Sequence, residues 1–303
     1  VIAVVALTAS PAGATFPGAD GKVAFVRNND TWTASFGPAG YSERRLTTDH
    51  HTSNPRWSPD GQRIAFNRND DIGVMSATGT NVKMLRVGHA HQPAWSPALA
   101  KGQKIAFVQV PPGKPGDIWT VPASGGKATR LTTDGAANCG DARPSWSPAG
   151  NKIAYLRYVD NSHGGCDAHV VVLNLATGAS AVVPQWVPYG AEVYLVEGRP
   201  DFTPDGTAVE FLASGTCAED VVDYVLKTGE MRLRDTNTSC EGDPEEREAG
   251  PTPSGGLFRM ITFLLDRPEG PTGACLIVPA GQKCRTNTNS YSPWSLVDVQ
   301  PRP

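Results

Sequence analysis

Short apolar runs return along this chain behind the same polar corner. In "NPRWSPDGQRIAF" (residues 54–66) a Trp, a Ser-Pro-Asp-Gly corner and the run Ile64-Ala65-Phe66 follow one another without a spacer. Pro presets φ and Gly accepts a positive φ, so the corner predicts a tight turn. The run after it predicts a short buried strand. A second strand follows, as in "DIWTV" (117–121) or "AHVVVLNL" (168–175). A Gly-bearing turn such as "ATGT" (77–80) or "ASGG" (123–126) leads to a third strand, as in "ATRLT" (128–132). With the strand that carries the Trp, each unit has four strands.

The unit recurs. "QPAWSP" (92–97) precedes "KIAFV" (104–108), and "RPSWSPAGNKIAYL" covers 143–156. "RPDFTPDGTAVEFL" covers 199–212 with Phe202 in the Trp position, and "GPTPSGGLFRMITFL" (250–264) is worn but in register. The corner prolines are Pro59, Pro97, Pro148, Pro204 and Pro253. Intervals of roughly 40–55 residues suit propeller blades with loops of variable length. One such sheet cannot cover both its faces, so the units must stack around an axis. Trp57, Trp95 and Trp146 then pack between successive sheets, each burying roughly 150–250 Å². A stacking platform for a sugar or a base is the other use of such aromatics.

The first unit starts directly at "GKVAFV" (21–26), without a Trp-bearing strand. Near the C-terminus "SYSPWS" (290–295) looks like an orphan of that type. The expected fold is therefore all-β: a six-bladed β-propeller of four-stranded blades, with the C-terminal segment completing blade one. Residues 15–303 form that single domain, and closure removes open sheet edges.

Composition agrees. The chain has 303 residues with 32 Gly and 26 Pro, many turns for short strands. Lys and Arg number 27 against 30 Asp and Glu. That balance argues against a nucleic-acid partner and gives no polybasic membrane anchor. Residues 1–14, "VIAVVALTASPAGA", read as the remainder of a secretory signal ending in small residues. No later segment approaches the ~18 apolar residues of a membrane span. Six Cys fit a secreted or periplasmic location. The repeat pattern favours neighbours: Cys139 with Cys166, Cys217 with Cys240, and Cys275 with Cys284. No CxxC pair appears, which counts against a zinc knuckle.

"PRWSPDGQRIAF" followed by "GDIWTV", "GG" and "TRLTTDG" resembles the propeller repeats of the TolB family, and related repeats in prolyl oligopeptidases. The resemblance covers roughly residues 15–303 and leaves no stretch for the N-terminal α/β domain of TolB. It implies a six-bladed propeller exported from a bacterium, with a tendency to bind partner proteins. No G-x-S-x-G nucleophile elbow occurs, so the hydrolase half of the oligopeptidases is not implied.

Strand order puts the Ser-Pro corners on one face. The long loops and the links between units lie on the other, where binding is usually placed. The links bring a polar ring to the mouth of the axial channel: His51, His91, Asp141, Arg143, Glu197, Arg199 and Glu248. Imidazole with carboxylate suits a divalent metal, whereas Arg143 and Arg199 oppose a cation. A hydrated channel mouth explains the same residues, and no metal or other cofactor is expected. Three functions follow. The first is a non-catalytic, monomeric module binding a protein or peptide. The second is a polysaccharide lyase or hydrolase working at the axial mouth. The third is a lectin-like carbohydrate binder, for which Trp186 and Tyr189 are the candidates.

Overall fold

A computed structural model describes residues 19–302 apart from 38–39, 99, 101, 134–138, 162, 186–194, 215–218, 238–244, 252–256, 263–271, 279–280 and 288–294. Among the described residues the chain is all strand and turn, paired into six four-stranded antiparallel sheets. The first contains β1 (Ala19–Arg27), β2 (Asp30–Gly37) and β3 (Gly40–Arg45). The second is β4 (Thr52–Trp57), β5 (Arg63–Arg68), β6 (Asp71–Ser76) and β7 (Lys83–Met84). The third is β8 (Ala90–Trp95), β9 (Lys104–Gln109), β10 (Asp117–Pro122) and β11 (Thr129–Arg130). The fourth is β12 (Asp141–Trp146), β13 (Lys152–Asp160), β14 (Cys166–Asn174) and β15 (Ser180–Val182). The fifth is β16 (Leu195–Phe202), β17 (Ala208–Ser214), β18 (Glu219–Val225) and β19 (Glu230–Asn237). The last is β20 (Glu245–Pro251), β21 (Leu257–Thr262), β22 (Thr272–Val278) and β23 (Gly281–Asn287). Here only the backbone is described, as it is for the C-terminal strand of the first sheet, whereas most other side chains of the first five sheets are described as well.

The inner strands β4, β8, β12, β16 and β20 lie side by side in succession, the arrangement of a propeller. The first sheet takes its inner strand from the far end of the chain: β24 (Ser295–Arg302) pairs antiparallel with β1 and lies beside β4. The C-terminal segment thus completes the first sheet, as the sequence suggests, with a strand that starts at the last residue of "SYSPWS". Residues 288–294 lie outside the described ones, and the register sets Val299 opposite Val23, the place that Trp57 occupies opposite Ile64. Which residues pair was not legible in the Ser-Pro-Trp wording, because position in a sheet follows from strand register, which a word match does not see.

The sheets are held by a repeated contact. Ala24, Ala65, Ala106 and Ala154 are fully buried on the second strand of the first four sheets. Each small side chain belongs to one apolar cluster with the aromatic of the next sheet: Trp57, Trp95, Trp146 and Phe202 in turn. Alanine leaves room for a large ring, and the ring excludes water from both sheets. Trp95 Nε1 donates to the Arg56 carbonyl of the preceding sheet at 3.0 Å, and the Arg63 guanidinium stacks 4.8 Å from its ring centre. The Trp of the opening motif is a wall between blades.

The "TRLTTD" wording has a structural meaning too. In the first sheet Asp30 is fully buried and accepts from His50 N at 3.1 Å, from Thr47 Oγ1 at 3.0 Å and from Arg45. Thr47 Oγ1 in turn accepts from Thr31 N at 2.9 Å, and Arg45 Nε donates to the Thr47 carbonyl at 2.8 Å. The third sheet repeats this with Asp117, Arg130 and Thr132: Arg130 Nη2 meets Asp117 at 2.6 Å and Thr132 Oγ1 accepts from Ile118 N at 2.9 Å. Each set clamps the exit of the outer strand to the start of the third.

Candidate functional site

The face opposite the Ser-Pro corners is built by one hydrogen-bond scheme used repeatedly. The first residue of an inner strand donates to the loop of the preceding sheet: Thr52 N to Asn29 O at 2.8 Å, Ala90 N to Asp70 O at 3.1 Å, Asp141 N to Gly116 O at 2.7 Å. The residue just past the second strand, or in its last turns, donates back to the link: Asn69 N to His51 O, Val110 N to His89 O, Tyr158 N to Gly140 O. Loops and links on this face therefore form one frame.

Each inner strand then bulges. The pairing of β4 with β5 skips between Ser53 and Arg56, that of β8 with β9 between His91 and Ala94, and that of β12 with β13 between Ala142 and Ser145. Asn54, Gln92 and Arg143 sit in these bulges with φ of 50°, 54° and 52°. Non-glycine residues rarely adopt that conformation, and bulges re-aim side chains at sites. The bulges are linked to one another. Asn67 Oδ1 accepts from Gln92 N at 2.9 Å, and Gln92 Oε1 accepts from Arg143 N at 2.8 Å. The relay crosses three successive sheets and ties the second strand of one to the bulged inner strands of the next two.

The fourth sheet rises above this frame. β13 and β14 each run nine residues, whereas β5, β6, β9 and β10 run six. A disulfide from Cys139 in the preceding link to Cys166 at the start of β14 ties the tall hairpin down, as the spacing predicts. The bridge closes 27 residues of sequence separation, for which the chain-entropy account gives about 3–4 kcal/mol. Beside it Gly116 and Gly140 meet backbone to backbone: a Cβ on Gly140 would fall 2.4 Å from Gly116 N. Gly140→Ala is expected to cost about 1–3 kcal/mol by forcing the two segments apart. The midpoint of denaturant unfolding checks this.

The predicted ring residues fare differently. His91, Arg143 and Arg199 are half-buried on or beside the bulges, and His51 is exposed just before β4. Asp141 is turned inward: its carboxylate is 1% exposed and takes Arg157 Nε at 2.9 Å and Nη2 at 3.1 Å. It therefore faces a sheet partner and not the channel, because it occupies the buried inner-strand position of Thr52 and Ala90. His91 Nε2 lies 3.9 Å from Asp70. The histidine engaged at the first link is His50, with Nδ1 2.8 Å from Asn28 O and 3.1 Å from Asp30. Arg199 pairs with Asp201 at 2.6 Å. The side chains of Glu197 and Glu248, the pair Cys217 and Cys240, Trp186, Tyr189 and residues 1–14 lie outside the described residues. Cys275 stands directly opposite Cys284 in the register of β22 and β23. Among the described residues, the grouping of three His, Cys, Asp or Glu side chains close enough to share an ion is Cys139, Asp160 and Cys166. Its two sulfurs are bonded to each other.

Two features escaped the sequence reading. The relay through Asn67, Gln92 and Arg143 has no common wording. The other has one: "FVR" (25–27) and "FNR" (66–68) end the second strand of two units, and "YLR" (155–157) lies within the longer second strand of a third. In each the Arg stacks on the aromatic two residues back, at 5.2, 5.2 and 5.4 Å from the ring centre. Each also meets an acid: Glu43 at 2.8 Å, Asp49 at 2.8 Å and Asp141 at 2.9 Å.

No protein-family model matches the sequence. No curated protein matches it either. Solved structures do resemble the fold. TolB from Acinetobacter baumannii aligns over 93% of this chain and 67% of its own, with a TM-score of 0.66 and 14% identity. The putative TolB from Agrobacterium tumefaciens aligns over 89% of both chains, with a TM-score of 0.60 and 18% identity. An oligogalacturonate lyase in complex with manganese aligns over 88% of this chain and 85% of its own, with a TM-score of 0.55 and 12% identity. The likeness is one of fold: an all-β propeller of the TolB type.

Proposed function

We propose that this protein is an exported, monomeric, six-bladed propeller, with no catalytic role, that holds a protein or peptide partner on its loop face. The observation that carries this is the frame at the axial mouth. Bulged inner strands present His91, Arg143 and Arg199 half-exposed. The relay and the Cys139–Cys166 bridge hold the surrounding loops in place. A surface fixed before binding loses little entropy when a partner docks, so few contacts suffice for affinity. The disulfide fits an oxidising compartment. The likeness in fold to two TolB structures supports the reading.

The test begins with capture of partners from the exported fraction of the source cells, followed by titration of the purified partner. His91→Ala with Arg143→Ala is expected to weaken Kd at least tenfold, about 1.4 kcal/mol or more. Gln62→Ala, exposed at a Ser-Pro corner on the opposite face, should leave it unchanged. Equal binding by all three proteins would overturn the assignment of the face.

A second reading is an enzyme acting on a polysaccharide at the same mouth. His50, His51, His89 and His91 in two adjacent links favour it, as does the fold shared with a manganese-bound lyase. Metal retained by the purified protein, together with turnover of oligogalacturonate that is lost in His51→Ala and His91→Ala, would replace the first reading by this one.

A further inference from the structure

The seam after the fifth sheet departs from the others. In the first four sheets the second strand offers a buried alanine to the aromatic of the following sheet. In the fifth, register puts Glu210 in the alanine position, between Asp201 of β16 and Asp223 of β18. In the following sheet Pro251 stands opposite Leu257, where Trp57 stands opposite Ile64. Both halves of the repeated contact have been replaced. A row of three acids now lies on the side of the fifth sheet away from the apolar cluster that Phe202, Val209, Phe211 and Val222 share with the fourth.

These acids are buried, at 8% exposure for Asp201, 1% for Glu210 and 8% for Asp223. Neither carboxylate oxygen of Glu210 has a hydrogen-bond partner among the described residues. Cations are in short supply. Arg199 is committed to Asp201 at 2.6 Å. Arg234 is shared, with Nε 3.5 Å from Glu210 and Nη1 3.6 Å from Asp223. Arg232 is held by Glu230 at 2.8 Å on the outer strand, and Asp205 at the corner bonds Thr203 and Thr207. The strand lying against β16 and β17 is β20, whose sequence carries Glu245, Glu246, Arg247 and Glu248. Among the described residues around Glu210, three carboxylates therefore face two guanidinium groups, and the adjacent Glu210 and Asp223 can share one proton; Arg247 and Arg259 stand on the facing strands β20 and β21, whose side chains lie outside the described residues.

We infer that the seam between the fifth and sixth sheets is closed by a proton held on the buried carboxylate pair Glu210–Asp223, so that this seam is the part of the ring that opens as pH rises. Burial, with the Asp223 and Asp201 charges adding and Arg234 opposing, pushes Glu210 up to about 8. Asp223 is raised as well, first by burial. A folded-state value raised above the unfolded one means that the folded form holds the proton longer. The stabilising effect is whole below pH ~4.5, falls as pH rises from there towards ~8, and levels off beyond.

Amide hydrogen exchange on the intact protein, corrected for intrinsic rate, tests this between pH 5 and 9. The opening constant of β17 and β20 is expected to rise by up to about tenfold per pH unit as far as pH ~8. Amides of β5 and β9, next to alanine–aromatic seams, should change less. Glu210→Gln keeps the shape without the charge and should flatten the rise in β17 and β20. Asp223→Asn, which removes the other charge, serves if the first variant does not fold and should flatten it too. A wild-type seam with no pH dependence in this window, or the same dependence in the variants, overturns the inference.

Discussion

Trp95→Ala is expected to cost the folded protein about 3–5 kcal/mol, the range for deleting a large buried aromatic. The ring is 2% exposed and packs in one cluster with Ala65, Val74, Ile105 and Phe107 from two sheets. Its loss removes apolar area from both sheets and leaves a cavity that neither can fill by shifting, since each is also bound on its other side. It leaves the Arg56 carbonyl without its indole donor as well. A fall in melting temperature on the order of 10 °C should accompany it. Trp119→Ala, half-buried at the edge of the same cluster, should cost clearly less. If the two cost the same, the ring between sheets is not what holds them.

The second large effect is at Asp30. Burial raises the pKa of this carboxylate, yet the bonds from His50 N, Arg45 and Thr47 outweigh it and hold Asp30 below its ordinary value. Asp30→Ala removes an acceptor that satisfies three donors, while the Arg45 guanidinium, a third exposed, still reaches water. A loss of about 1–3 kcal/mol is expected, the cost of leaving buried donors unpaired. The sign with pH is fixed by the direction of the shift. A lowered folded-state pKa gives stability that is present above pH ~3.8 and is lost as pH falls below it. The gap between wild type and Asp30→Ala should therefore be full at pH 6 and narrow towards pH 3 in urea unfolding. A gap that stays constant would mean that the carboxylate charge contributes nothing.

The seams were legible in the chain because the same residue types recur at the same places. "IAF" behind a Ser-Pro corner marks a strand with a small residue facing the next blade, and the Trp marks what covers it. "RLTT" reads only as a strand and its exit, and its clamping task became visible only with Asp30 and Asp117 in place. The Cys139–Cys166 bridge followed from two cysteines falling on one face of one unit. Glu210 was in plain view as "AVEF" where other units read "IAF", yet it carried no weight as one odd letter in a worn repeat.

By itself, then, the sequence determined the local geometry: four strands to a unit, the turns between them, and the partition of small and large apolar residues that makes flat sheets stack. Those depend on dihedral preference and on side-chain volume, both properties of a few neighbouring residues. The tertiary structure decided what depends on register and on distant partners. It chose Ser295–Arg302 as the closing strand and turned Asp141 away from the channel to Arg157. It also joined Asn67, Gln92 and Arg143 across three sheets, and set Glu210 between two other acids. A one-residue slip in pairing changes each of these while leaving every local preference as it was, which is why no reading of the letters alone could reach them.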